Sequence, residues 1–183
     1  MSSCAHTRKQ RHDAVVITVQ KALSAAGIKS QHEKPLDTYT KIDLFYKHPN
    51  PENNEHSNVM LDVTIRSAYS QTTAEIPNTK QNLRNADLAK FSKYKNYASD
   101  FRARIQPLSF TTFGAQSTSV KDFIKDLEQC AIITGMYFPK IDRKFSIIWQ
   151  ENISFSIART TCEYAYLAAQ SHNTNHAHLL AFE

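Results

Sequence analysis

A chain of 183 residues, 41% hydrophobic and 21% charged, suits one domain with its own core and excludes wholesale disorder. Its three glycines, Gly27, Gly114 and Gly135, form neither GxxxxGK(S/T) nor GxGxxG, which excludes nucleotide-binding folds built on those loops. A net charge of +5 and a pI of about 9.1 fit a polyanionic partner such as nucleic acid.

Residues 1–10 are polar and are expected to form a flexible N-terminus. From Arg11 to Ala26, the residues Val15, Val16, Val19, Ala22, Leu23 and Ala26 fall at helical spacing, and Gly27 is a natural stop. Residues 38–46 alternate, with Ile42, Leu44 and Tyr46 on one side. Residues 58–66 alternate more clearly: Val59, Leu61, Val63 and Ile65 face one way, and Met60, Asp62 and Thr64 the other. The polar stretch between them, with Pro49 and Pro51, reads as the connection of a long hairpin. Helical spacing returns after Pro77 and runs to about Tyr97 through Leu83, Ala86, Ala89 or Lys90, and Lys93 or Tyr94. Residues 104–113 read as a strand ending at Gly114. Ser117 or Ser119 caps a helix that turns Val120, Phe123, Ile124, Leu127 and Ala131 inward. Residues 135–145 form a hinge to a last helix over roughly 146–170, and residues 171–183 form a polar tail. The order helix, strand, strand, helix, strand, helix, helix predicts an α/β domain over 11–170, with a mixed central β-sheet flanked by helices.

Cys4, Cys130 and Cys162 are widely spaced and form no CxxC pair, so neither a disulfide framework nor a zinc finger is expected. A reducing intracellular compartment, nucleus or cytoplasm, is the simplest setting. The opening MSSCAHTRKQRHD lacks an apolar signal region. No apolar run approaches the ~18 residues of a membrane span.

Two acids carry the chemistry. Asp43 and Asp62 lie on adjacent predicted strands, and Asp62 is embedded in apolar sequence where a carboxylate needs compensation. Side chains on one face of paired strands sit about 5 Å apart. Carboxylates that close repel unless a cation lies between them, and a hard divalent ion takes such oxygens. The competing expectation is a surface Asp43 and an Asp62 paired with a lysine or arginine. Lys80, Arg84, Lys90, Lys93 and Lys95, interleaved with Tyr94 and Tyr97 and extended by Arg102 and Arg104, form the densest basic–aromatic segment. It can track phosphates, or be a wet basic face backed by packed aromatics.

The pieces Lys41-Ile42-Asp43, Leu61-Asp62-Val63-Thr64-Ile65, Lys90-Phe91-Ser92-Lys93-Tyr94 and Pro107-Leu108-Ser109-Phe110-Thr111-Thr112-Phe113-Gly114 occur in a telling order. Together they resemble the restriction-endonuclease-like domain of retrotransposon reverse transcriptases, in the PD-(D/E)XK superfamily. Arg11-His12-Asp13 and Glu33 resemble its N-terminal part, so the resemblance spans roughly residues 11–170. It implies a metal-dependent DNA endonuclease, with RNA as the other polyanion to consider. It implies Mg²⁺ or Mn²⁺ held by Asp43, Asp62 and the Val63 carbonyl, with Glu33 adding a ligand through water. A lysine normally stands two residues after the second acid. Here that position is Thr64, and the resemblance transfers its role to Lys93 or Lys90, with Tyr94 beside them and His12 as a brace.

Two departures stand out: Ile42 replaces the usual proline, and Thr111 stands where an acid is common. The first is usually tolerated; Thr111, together with Thr64, motivates the alternative of a degenerate nuclease-like fold that binds nucleic acid or protein without cutting. The chain carries no reverse transcriptase segment, so a fragment, a freestanding relative or a domesticated remnant is expected. The histidines of the tail, His172, His176 and His178, and the pair Cys4 and His6, are expected to be solvated rather than metal-bound.

Overall fold

The computed structural model describes residues 5–50, 57–67, 78–139 and 143–180, and the side chains of these except 5, 6, 164 and 167–180. The elements run α1 (Ala5–Ala25), β1 (Ser30–Pro35), β2 (Lys41–Lys47), β3 (Asn58–Arg66), α2 (Thr79–Asp100), β4 (Ala103–Thr111), α3 (Thr118–Ile133) and α4 (Phe145–Leu180). The sheet order is β1-β2-β3-β4. The β1–β2 and β2–β3 pairs are antiparallel, and β3–β4 is parallel. A parallel pair needs a long crossover, and α2 supplies it. The chain is therefore an α/β protein with a four-stranded mixed sheet between helices.

Helix α1 buries Val15, Val16, Val19, Ala22 and Leu23, the positions that recur at helical spacing. It ends in a Schellman turn: Ile28 N–H donates to the Leu23 carbonyl at 2.9 Å and Gly27 N–H to the Ser24 carbonyl at 3.0 Å. That turn needs the left-handed conformation Gly27 adopts, with φ 75°. A Cβ there would lie 3.0 Å from Thr134 Cβ, so a side chain would also be tightly crowded.

One face of the sheet packs Leu44, Tyr46, Val59, Leu61, Val63, Leu108 and Phe110 against α1, α3 and α4. The other packs Ile42 and Met60 with Ala103 and with Tyr94 of α2. Strand β3 is covered on both sides, and Val59 to Val63 are all buried. Asp62 falls inside this run.

Several expectations need correction. Helix α1 begins at Ala5, so residues 5–10 are its first turns rather than a loose lead. Helix α4 continues to Leu180, past the expected start of the tail. Strand β1 was not foreseen. Ile42 lies on the face opposite Leu44 and Tyr46, because alternation breaks at Asp43. The β1–β2 register runs through His32↔Leu44 and Lys34↔Ile42 but skips the step between them. At that step Glu33 takes φ 48°, a conformation uncommon outside glycine. No described helix is long and apolar enough to cross a membrane.

Candidate active site

The β2–β3 ladder ends at Leu44↔Leu61. Continuing its register one step sets Asp43 opposite Asp62. There the Val63 N–H donates to Asp43 Oδ2 at 2.7 Å, so a side chain replaces the ladder partner. In antiparallel pairing a residue's N–H and C=O point to the same strand edge, so the Val63 carbonyl also lies on the β2 side, past the last ladder pair.

Asp43 Oδ2 also meets His12 Nε2 at 3.1 Å, and His12 Nδ1 meets Asp13 Oδ1 at 3.2 Å. The bond to Asp43 pushes the His12 ring up to about 9 against the opposing effect of burial, so the ring is charged at neutral pH. Asp43 Oδ1 takes no hydrogen bond among the described residues.

Asp62 is 3% exposed and is compensated from α2. Lys90 Nζ lies 2.8 Å from Asp62 Oδ2. The Tyr94 hydroxyl donates to Oδ1 at 2.7 Å, and the Thr64 hydroxyl donates to Oδ2 at 3.4 Å. Lys93 Nζ donates to the Tyr94 oxygen at 2.9 Å and sits 4.6 Å from the centre of its ring. Burial and then the Asp62 charge hold the Tyr94 hydroxyl well above its ordinary value, so it stays a donor.

These groups line one open cleft of about 430 Å³ formed by Arg8, His12, Lys41, Asp43, Asp62, Val63, Thr64, Ile65, Lys90, Lys93 and Tyr94. The structure thus brings together Asp43, Asp62, Val63, Thr64, Lys90, Lys93, Tyr94 and His12. The competing expectation is met in one respect, since Asp62 does pair with a lysine. That lysine is one of the two amines expected beside the acids, so both expectations share the bond. Asp43, by contrast, is no plain surface residue, with a side chain 17% exposed.

Glu33 stands apart. It lies on β1, is exposed, and is ion-paired with Lys41 at 2.5 Å. It is not among the residues lining the cleft. Lys80 and Arg84 are exposed and line a larger cavity of about 590 Å³ at the N-terminal end of α2, with Asp87, Ser117 and Lys121. The paired acids lie in the smaller of these two cavities. Lys95 and Arg102 are exposed. Arg104 departs from the expected phosphate-tracking face: it turns inward and donates to Asp126 Oδ2 at 2.5 Å. Thr111 is buried, with its hydroxyl oxygen accepting from Ala115 N–H at 3.0 Å. The side chains of His6, His172, His176 and His178, and all of Cys4, lie outside the described residues. Sequence reasoning missed Arg8, although it stands one helical turn before His12 and so shares its face.

Asp43 Oδ1, the Asp62 carboxylate and the Val63 carbonyl are oxygens, the ligand type that a hard divalent cation takes, with both Asp62 oxygens already bonded by Tyr94 and Lys90. No family model matches the chain in sequence, and no curated protein does.

Proposed function

We propose that the chain is a restriction-endonuclease-like enzyme that hydrolyses DNA phosphodiester bonds with Mg²⁺ or Mn²⁺. One observation carries this reading: two acids on neighbouring strands meet two lysines of the following helix in one open cleft. Asp43, Asp62 and the Val63 carbonyl would hold the ion, which would supply Lewis acidity toward water and neutralise charge on the phosphate. Lys90 sits against Asp62, where it can orient the attacking water or meet the developing charge, the role that Thr64 cannot fill. Lys93 and Tyr94 hold Asp62 in place. Arg8 and His12 add positive charge on the α1 side and draw the phosphodiester into the cleft.

The test is nicking of supercoiled plasmid with and without Mg²⁺. Cleavage is expected in Mg²⁺ and absent in chelator, and Asp43→Ala and Asp62→Ala each remove it. Cleavage that survives Asp62→Ala overturns the assignment.

A second reading rests on its own observation. Both acids are already compensated within the chain, Asp43 by His12 and Asp62 by Lys90. A site so balanced suits a fold kept for binding nucleic acid or protein. DNA affinity without cleavage at any metal concentration favours it.

A further inference from the structure

At the far end of β2 from Asp43, a second cluster gathers three different ligand types. His48 follows β2 directly, and Asp126 and Cys130 stand one turn apart on α3, hence on one face of that helix. Cys130 Sγ lies 3.2 Å from His48 Nε2, and both Asp126 oxygens lie 3.2 Å from the same nitrogen. One ligand atom from each residue falls within 4.8 Å of the others. We propose that His48, Asp126 and Cys130 form a transition-metal site, for Zn²⁺ or a similar borderline ion, that pins the end of β2 to α3.

The alternative use of such residues is a nucleophilic thiol relay. That arrangement sets the thiol on one ring nitrogen and the acid on the other. Here thiol and acid crowd the same nitrogen. Convergence on one point is what a cation asks of its ligands.

The opposite ring nitrogen is compatible with this. His48 Nδ1 lies 2.9 Å from the Asn50 carbonyl, and the Asn50 amide N–H donates to the same nitrogen at 3.2 Å. In the tautomer whose Nδ1 proton goes to the carbonyl, Nε2 carries the lone pair a metal takes; in the other, Nε2–H donates to Asp126. A histidine that binds metal is held in the first way, by a carbonyl on its other nitrogen.

Distances agree. Tetrahedral zinc with ordinary Zn–N, Zn–O and Zn–S lengths separates its ligand atoms by about 3.4–3.6 Å, a few tenths beyond the two 3.2 Å spacings to His48 Nε2, while the Cys130 sulfur and the Asp126 carboxylate lie within 4.8 Å of each other. Arg104 is the opposing charge. It holds Asp126 Oδ2 at 2.5 Å, which leaves Oδ1 for the ion. Thiolate and carboxylate together balance a divalent ion, with Arg104 the residual charge. His48 and Cys130 are buried, whereas the Asp126 side chain is 32% exposed, so the ion enters past Asp126 and keeps a position there for water. The soft sulfur separates this site from the all-oxygen set at Asp43 and Asp62.

The experiment uses the full chain, stripped with chelator, in a Cys4→Ser/Cys162→Ser background where Cys130 is the remaining thiol. Co²⁺ is the probe. A thiolate-to-cobalt charge-transfer band is expected, saturating at one equivalent, displaced by Zn²⁺ and unaffected by excess Mg²⁺. Zn²⁺ is expected to raise the melting temperature. His48→Ala, folded by circular dichroism, loses the band. Where it does not fold, Asp126→Asn is read instead, and its Co²⁺ affinity falls by at least the ~10-fold that losing even an outer hydrogen-bond partner of a ligand costs. A folded parent chain with no band overturns the proposal. So does a band undiminished in His48→Ala, or unchanged affinity in Asp126→Asn.

Discussion

Lys90 reaches from α2 to Asp62 on β3, Nζ to Oδ2 at 2.8 Å, and supplies the charge that lets a carboxylate sit in a strand covered on both faces. Removing one partner of such a pair strands the other. Lys90→Met is therefore expected to destabilise the metal-free protein by about 1–3 kcal/mol, tempered by the partial exposure of Lys90. Asp62→Asn in the same background recovers most of that loss. Urea denaturation of both variants measures it, and a double variant no more stable than Lys90→Met contradicts the pairing.

Tyr94→Phe keeps the ring against Ile42 and Met60 and deletes the hydroxyl that donates to Asp62. The expected cost is about 1–2 kcal/mol. Equal stability of Tyr94→Phe and the parent chain, by the same denaturation, indicates that the bond contributes nothing.

His12 gives a pH dependence with a definite sign. Its folded-state pKa is raised to about 9 from 6.5, chiefly by the bond to Asp43. The stabilisation is full below about 6.5 and is lost as pH rises through 9. Metal-free protein is expected to melt progressively lower across that window, and His12→Gln to flatten the slope. An equally steep slope in His12→Gln assigns it to another group.

Gly27→Ala and Gly135→Ala form a matched pair. Both residues take left-handed φ, 75° and 71°, but only a Cβ at Gly27 meets Thr134, at 3.0 Å. Each substitution is expected to cost about 1–2 kcal/mol for the backbone conformation, with Gly27→Ala costing more. Thermal melts of the two show whether the close approach matters.

Lys80 and Arg84 are exposed on one face of α2, and on the nuclease reading they meet phosphates. Lys80→Gln/Arg84→Gln is then expected to shallow the log–log salt dependence of DNA affinity by about 2. An unchanged slope places the DNA elsewhere.

Part of the cleft around Asp43 and Asp62 was legible from simple periodicities. Strand alternation put Asp62 on the face with Met60, whereas helical spacing left Ala89 or Lys90, and Lys93 or Tyr94, as alternatives; in the structure Tyr94 is buried and Lys90 pairs with Asp62. Strand β1 was not legible: SQHEKP has no apolar alternation, since little of it is buried. The polar start of α1 hid its helicity in the same way, and with it Arg8. The reversal at Ile42 depends on the backbone break at Glu33 and Asp43, which no residue type announces. His48, Asp126 and Cys130 come together across 78 and 82 residues, a closeness only tertiary packing creates. The inward turn of Arg104 belongs to the same packing.

The outermost strand has one more effect. Gln31, His32, Glu33 and Pro35 are exposed, Glu33 bends the backbone, and Pro35 lacks an amide proton. Lys34 folds its ammonium over the Phe45 ring at 3.5 Å. A rim so crooked and charged offers a neighbouring polypeptide no straight template to zip onto, which guards concentrated solutions against fibrillar stacking along that border.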